Sequence, residues 1–303
     1  MEARWRWALI TAIAPIAWGS NYYVTRWFLP PDAPLWGALL RALPAGLLLL
    51  LLARRLPSGS WWWRAPVLGT LNVGAFFILV YLASQLLPSG VAATIMAASA
   101  VVLMLLAWPL LGERPAVLAL TGGAIGFAGV CLLLVNGGTA VRPWGVAASF
   151  AAMLMSSLGF ILTKRWTPPV SATAATSWQL LGGGLVIAPF ALLVEGAPPA
   201  LDGAALLGFG YVTVIATALA FVAWFAGLRH LPAASVGLVG LLNPVTGVLL
   251  GTLLAGEPWG WRQAAGTALV LAGVVIGQRV TAGGEAPKHR GGDRVARRSR
   301  AER

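Results

Sequence analysis

Residues 225–276 restate residues 81–132 without a gap, Tyr81 answering to Phe225 144 positions later. Leu87 and Pro88 answer to Leu231 and Pro232, Gly112 and Glu113 to Gly256 and Glu257, Gly122 to Gly266, and Ala128, Gly129 and Val130 to Ala272, Gly273 and Val274. A duplicated chain folds as two related halves, and both halves here are almost wholly apolar. Such halves belong in a bilayer, where helices satisfy the backbone's polar groups internally.

Composition narrows the function classes. Charged residues make up 10% of the 303, against roughly 25% in soluble domains, and mean hydropathy is +0.81. The single cysteine, Cys131, excludes a disulfide framework, and His230 and His289 lie too far apart in sequence for a metal or triad motif. The net charge of +12 does not imply nucleic acid. Seven basic residues, Lys288, Arg290, Arg294, Arg297, Arg298, Arg300 and Arg303, crowd into residues 281–303, which read as a disordered cytoplasmic tail attracted at most to anionic lipid. Arg4 and Arg6 before an apolar run imitate a signal peptide, but the run continues past Trp18 and reads as a retained first span.

Crossing ~30 Å of hydrocarbon takes about 20 helical residues. Ten segments qualify: 7–25, 35–53, 66–86, 91–111, 117–135, 144–163, 172–194, 204–226, 234–255 and 261–280. With the N-terminus inside, 17 basic residues fall at cytoplasmic ends, Arg54, Arg55, Arg64, Arg114, Lys164, Arg165 and Arg229 among them, and only Arg26, Arg142 and Arg262 at outer ends. Both termini are therefore expected in the cytoplasm. Each half, 1–140 and 141–280, holds five spans. Because five is odd, the second copy enters the membrane inverted, with Glu113 inside and Glu257 outside. Inverted repeats of this kind serve alternating access in many secondary transporters.

The first span reads Trp18-Gly19-Ser20-Asn21-Tyr22-Tyr23, the second carries Leu40-Arg41-Ala42-Leu43, and each half closes with Leu-Pro, a Gly-Glu pair and a Gly-rich span. Over residues 7–280 this order resembles the EamA-type branch of the drug/metabolite transporter superfamily, all-α membrane carriers of ten transmembrane helices. The resemblance implies a bacterial inner-membrane exporter of amino acids or similar metabolites, with spans one to four and six to nine around a cavity. Two departures stand out. The proline usual midway along the fourth span, supplied in the ninth by Pro244, is Ala100 here, and Pro109 lies later, so the N-terminal kink is expected to be displaced. The sixth span has Ser157-Leu158-Gly159 where the first has its Trp-Gly pair.

Arg41 is the only ionisable residue deep within an expected span, roughly 9 Å from its outer end. Two roles suit it: holding a substrate carboxylate, or a structural one, in which it snorkels to the outer interface or ties down backbone carbonyls at a helix break. Gln179 takes the corresponding place in the seventh span. Trp18, Asn21, Tyr22 and Thr25 share one face of the first span, which suits an amphipathic organic substrate. Thr213, Thr217, Phe221 and Trp224 form a second stripe, and Ser235, Asn243 and Thr246 a third. The inverted counterparts include Phe77, Tyr81 and Ser99. Packing between helices also explains Ser and Thr at such positions, and an interfacial belt explains Tyr23 and Trp27. Glu113 and Glu257 suit the N-terminus of a helix.

No Asp or Glu lies within any expected span, so the carboxylate relay of many proton-coupled carriers has no material here. No Walker motif couples transport to ATP, and no cofactor or metal is implied. The expectation is a secondary carrier, not an enzyme, exporting neutral or zwitterionic metabolites, foremost amino acids with apolar or aromatic side chains. Purines and drug-like compounds are the alternative cargo; a scaffold or a lipid enzyme fits less well.

Overall fold

The computed structural model describes residues 2–87, 95–134, 142–167, 169–256 and 259–280, so the expected basic tail and Glu257 lie outside the described residues. All regular structure among them is helical. The helices are α1 (Glu2–Phe28), α2 (Pro34–Ala53), α3 (Trp61–Gly69), α4 (Ala75–Leu86), α5 (Ser99–Leu111), α6 (Val117–Leu134), α7 (Pro143–Arg165), α8 (Ala172–Phe190), α9 (Gly203–Thr213), α10 (Ala220–His230), α11 (Ala233–Gly240), α12 (Leu242–Ala255) and α13 (Trp261–Val280). Three π-helical turns interrupt or extend them, at Thr70–Gly74, Ala191–Glu195 and Val214–Leu219.

Among the described residues, six continuous helical stretches are long and apolar enough to cross a membrane: Pro34–Ala53, Trp61–Ala83, Pro143–Arg165, Ala172–Glu195, Gly203–His230 and Ala233–Leu254. Ile95–Leu111 and Val117–Leu133 are apolar but shorter. The outside of the bundle is apolar as well. Leu193 and Leu253 are 85% and 75% exposed, a surface that water would penalise and lipid would not.

Packing reproduces the sequence repeat. α6 lies along α13, and close approach there requires glycine: a Cβ on Gly122 would sit 2.5 Å from the Gly273 carbonyl oxygen. The equivalent pair is reciprocal, since a Cβ on Gly266 would sit 2.8 Å from the Gly129 carbonyl. α2 and α8 pack likewise, Gly46 against Leu181 and Gly184 against Leu43. α1 packs on α10 and α12, while its equivalent α7 packs on α4 and α5. Small residues let backbones approach, and dispersion rather than water exclusion then holds helices together in lipid.

The π turns obey the same offset. Thr70–Gly74 and Val214–Leu219 begin 144 positions apart, and each contains an i to i+5 bond, from Ala75 N–H to the Thr70 carbonyl and from Ala220 N–H to the Ile215 carbonyl. Such turns widen the coil and turn backbone carbonyls toward neighbouring helices.

The kink in the fourth segment is not displaced toward Pro109, contrary to expectation. α5 begins after a break at Ala98, where the Ala98 N–H bonds the Ile95 carbonyl at 3.1 Å. In the second half Leu241 N–H bonds the Leu238 carbonyl at 3.1 Å, 143 positions later. Contact between the two segments accounts for this better than proline does: a Cβ on Gly237 would lie 3.0 Å from the Ala100 carbonyl, so the helices press together beside the breaks. Pro109 sits within α5 without ending it.

Candidate functional site

Arg41 lies seven residues into α2, about 10 Å along the helix from Pro34. Its Nε donates to Thr217 Oγ1 at 2.8 Å, and its Nη2 donates to the Ala216 carbonyl at 3.1 Å. Both acceptors belong to the Val214–Leu219 turn. Trp18 Nε1 donates to the same Ala216 carbonyl, also at 3.1 Å, so one oxygen joins α1 and α2 to the turn. The Phe77 ring lies under the guanidinium, 5.3 Å from its carbon to the ring centroid. This realises one of the two roles read for Arg41, a backbone carbonyl tied down at an irregular turn. The guanidinium has five donors, however, and among the described residues no carboxylate pairs with it, the one ion pair there being Lys164 with Glu113. A cation in an apolar bundle without a counter-ion attracts an anionic group strongly.

Beside Arg41 stands an aromatic cluster. Trp18 is 5.3 Å from Phe221 and 5.2 Å from Trp224 between ring centroids, and Phe160 is 5.3 Å from Trp224 and 6.1 Å from Phe225. Trp224 is 2% exposed, yet its Nε1 has no acceptor. Asn21 Oδ1 and Asn243 Oδ1 are also buried without a donor. Buried polar atoms normally find partners, so the Trp224 orphan within the aromatic cluster is where a bound molecule would supply one.

The structure thus brings Trp18, Arg41, Phe77, Thr217, Phe221 and Trp224 into one neighbourhood. Asn243 follows the break at Leu241, its carbonyl against Gly19 of α1. Tyr81, half-buried, shares a face of α4 with Phe77, and half-buried Ser99 opens α5 beside its break. The side chain of Tyr22 lies outside the described residues.

Gln179 does not join Arg41. It lies seven residues into α8, near the end of the bundle that carries Arg54 and Arg55, and its Oε1 accepts from Asn72 Nδ2 at 2.8 Å and faces Thr163 Oγ1 at 3.3 Å. Asn72 Nδ2 also donates to Thr163 Oγ1 at 3.1 Å, and Gln179 Nε2 reaches the Ala175 carbonyl at 3.4 Å. Asn72 Oδ1 faces Gly159 without a donor. Asn72 belongs to the Thr70–Gly74 turn, so this node is the repeat-equivalent of the Arg41 node. Sequence reading missed Asn72 and Thr163; the available signal was an Asn in the middle of an apolar span.

Two carboxylates fasten helix ends. Glu113 pairs with Lys164 at 2.6 Å and accepts from the Ala233 N–H at 2.7 Å, so it serves the start of α11 in the other half rather than α6, which follows it in sequence. Glu195 accepts from the Leu35 and Trp36 N–H groups at 2.8 and 2.9 Å, a role that sequence reading also missed. Unpaired N–H groups at helix starts favour both contacts.

Profile comparison decides the family: the profile of the EamA-like transporter family matches twice, over residues 5–135 and 143–277. The chain belongs to that family. Protein PecM of Dickeya dadantii is 36% identical over 270 residues, covering 88% of this chain and 91% of the relative. The uncharacterized inner membrane transporter YedA of Escherichia coli K12 is 32% identical over 252 residues, covering 80% of each. A solved crystal structure superposes with a TM-score of 0.79 over 91% of this chain and 98% of its own, at 19% identity, a likeness of fold alone. This EamA-like protein is therefore a multi-pass transporter of the bacterial inner membrane.

Proposed function

We propose that the protein is a secondary carrier that exports small neutral or zwitterionic metabolites, foremost amino acids with apolar or aromatic side chains, by alternating access. One observation carries the reading: Arg41, without a counter-ion among the described residues, adjoins an aromatic cluster that holds an unpartnered indole N–H. An amino acid supplies what each part lacks, a carboxylate for the guanidinium, an ammonium for the amide oxygens and an apolar body for the rings. Direction rests on family resemblance.

In this reading ten spans form two inverted five-helix units, 1–140 and 141–280, with both termini cytoplasmic. The Arg41 node then lies toward the outer face and the Gln179 node toward the cytoplasm, each joining a π turn of one half to a helix of the other. Alternating access would open one node while the other stays shut.

Uptake of radiolabelled amino acids into proteoliposomes tests the reading. Saturable flux for at least one aromatic or branched amino acid is expected; no flux for any, from folded protein, would end it. The aromatic cluster, with its unpartnered indole N–H, also favours a second reading, flat heteroaromatic cargo such as purines or drug-like compounds. A growth-resistance panel of amino-acid analogues, purine analogues and drugs separates the two.

A further inference from the structure

Among the described residues a second cation is held without a counter-ion, apart from the Arg41 cluster. Arg64, the fourth residue of α3, has its guanidinium carbon 5.9 Å from the Trp61 ring centroid, 5.4 Å from Trp63 and 5.5 Å from Trp166. Trp63 and Trp166 meet edge-on at 5.4 Å, and Trp61 packs on Trp178 at 5.9 Å. Trp178 Nε1 in turn donates to the Arg55 carbonyl at 2.8 Å. The ends of α2, α3 and α7 and the second turn of α8 are tied into this cage.

The cage fixes the guanidinium without satisfying it. Arg64 Nε is buried and has no acceptor, and among the described residues neither Nη group has one. No acidic residue occurs between Asp32 and Glu113, and Glu113 is already taken by Lys164 and the Ala233 N–H. Arg54, Arg55 and Arg165, all exposed, add charge of the same sign at this end. Trp62 and Trp63 remain 61% and 53% exposed beside it.

We propose that Arg64 and its tryptophan cage form a binding site for the headgroup of an anionic phospholipid. A guanidinium fork matches the oxygens of a phosphate, and a fork already immobilised by rings loses little freedom on binding. Exposed indoles sit at headgroup depth, and basic pockets between helices on the cytoplasmic side select anionic lipids. An aromatic belt alone would leave no caged cation with open donors.

Native mass spectrometry of the full-length protein, with phosphatidylglycerol and phosphatidylcholine in competition, reads the site directly. The wild type is expected to retain one phosphatidylglycerol preferentially, and Arg64→Gln to weaken that retention about tenfold. Arg142→Gln, at the opposite end, is expected to leave it unchanged. Equal retention of the two lipids by the wild type would overturn the proposal without need of any variant, should Arg64→Gln fail to fold. So would protection from thermal unfolding by inorganic phosphate equal to that by the lipid, which would mark a free-phosphate site. None of these outcomes depends on amino-acid flux.

Discussion

Two nodes occupy equivalent places in the repeat and differ in what they leave unsatisfied. Arg41 and Gln179 stand 138 positions apart, the offset that also relates Leu43 to Leu181 and Gly46 to Gly184. Each contacts a π turn in the opposite half. At the Gln179 node neutral groups largely satisfy one another, and Asn72 and Gln179 are each 1% exposed. At the Arg41 node a hydroxyl and a carbonyl leave a full charge uncompensated. One scaffold thus carries a fastening at one end and an unsatisfied site at the other, because a cation keeps its appetite for an anion where an amide does not.

The largest expected effect comes from making the nodes alike. Gln179→Arg would bury a second charge among neutral groups at a cost of at least about 3 kcal/mol. Loss of monodisperse protein on gel filtration checks it; normal yield would mean that the Gln179 node is not closed. Next, Asn72→Leu removes the donor shared by Gln179 and Thr163 and is expected to lower stability by about 1 kcal/mol, at the scale of hydrogen bonds between membrane helices. Thermal unfolding should detect this with the KM of transport unchanged. Trp224→Phe keeps an aromatic ring but a smaller one, and removes an N–H that has no acceptor. Stability should fall by about 1 kcal/mol, from the cavity left in a buried cluster rather than from a lost hydrogen bond, while flux per folded molecule falls about threefold, reflecting one hydrogen bond to substrate. The smallest effect belongs to Glu113→Gln, which keeps an acceptor for the Ala233 N–H and loses the pairing with Lys164. A partly exposed pair is worth under about 1 kcal/mol, and added salt should narrow the difference.

Much of the frame was legible in the sequence because lipid imposes length and apolarity on every helix. The expected span 35–53 meets α2 at Pro34–Ala53, and 144–163 meets α7 at Pro143–Arg165. α1 overruns its expected span 7–25, since a helix continues through the interface after apolarity ends. Trp18, Arg41, Phe221 and Trp224 could be found as polar or aromatic residues at helical spacing. Their partners could not. The Ala216 carbonyl has no side-chain signature, and the π turn that offers it depends on packing between halves. The break at Ala98 was hidden for the same reason, as contact with Gly237 does the work that a proline would have advertised. Glu195 was invisible because the helix start it serves lies 160 residues away.

The central claim, that Arg41 holds the carboxylate of the cargo, is tested most directly by competition in proteoliposomes. Uptake of labelled phenylalanine, or of whichever amino acid the carrier moves fastest, is measured against excess unlabelled amino acid and against the matching amine that lacks the carboxylate. In the wild type only the amino acid should compete well; in Arg41→Gln, uptake should drop at least about tenfold per folded molecule and the two competitors should become equal. If Arg41→Gln keeps the wild-type preference, or loses flux only in proportion to folded yield, Arg41 serves the helix turn and the carboxylate is bound elsewhere.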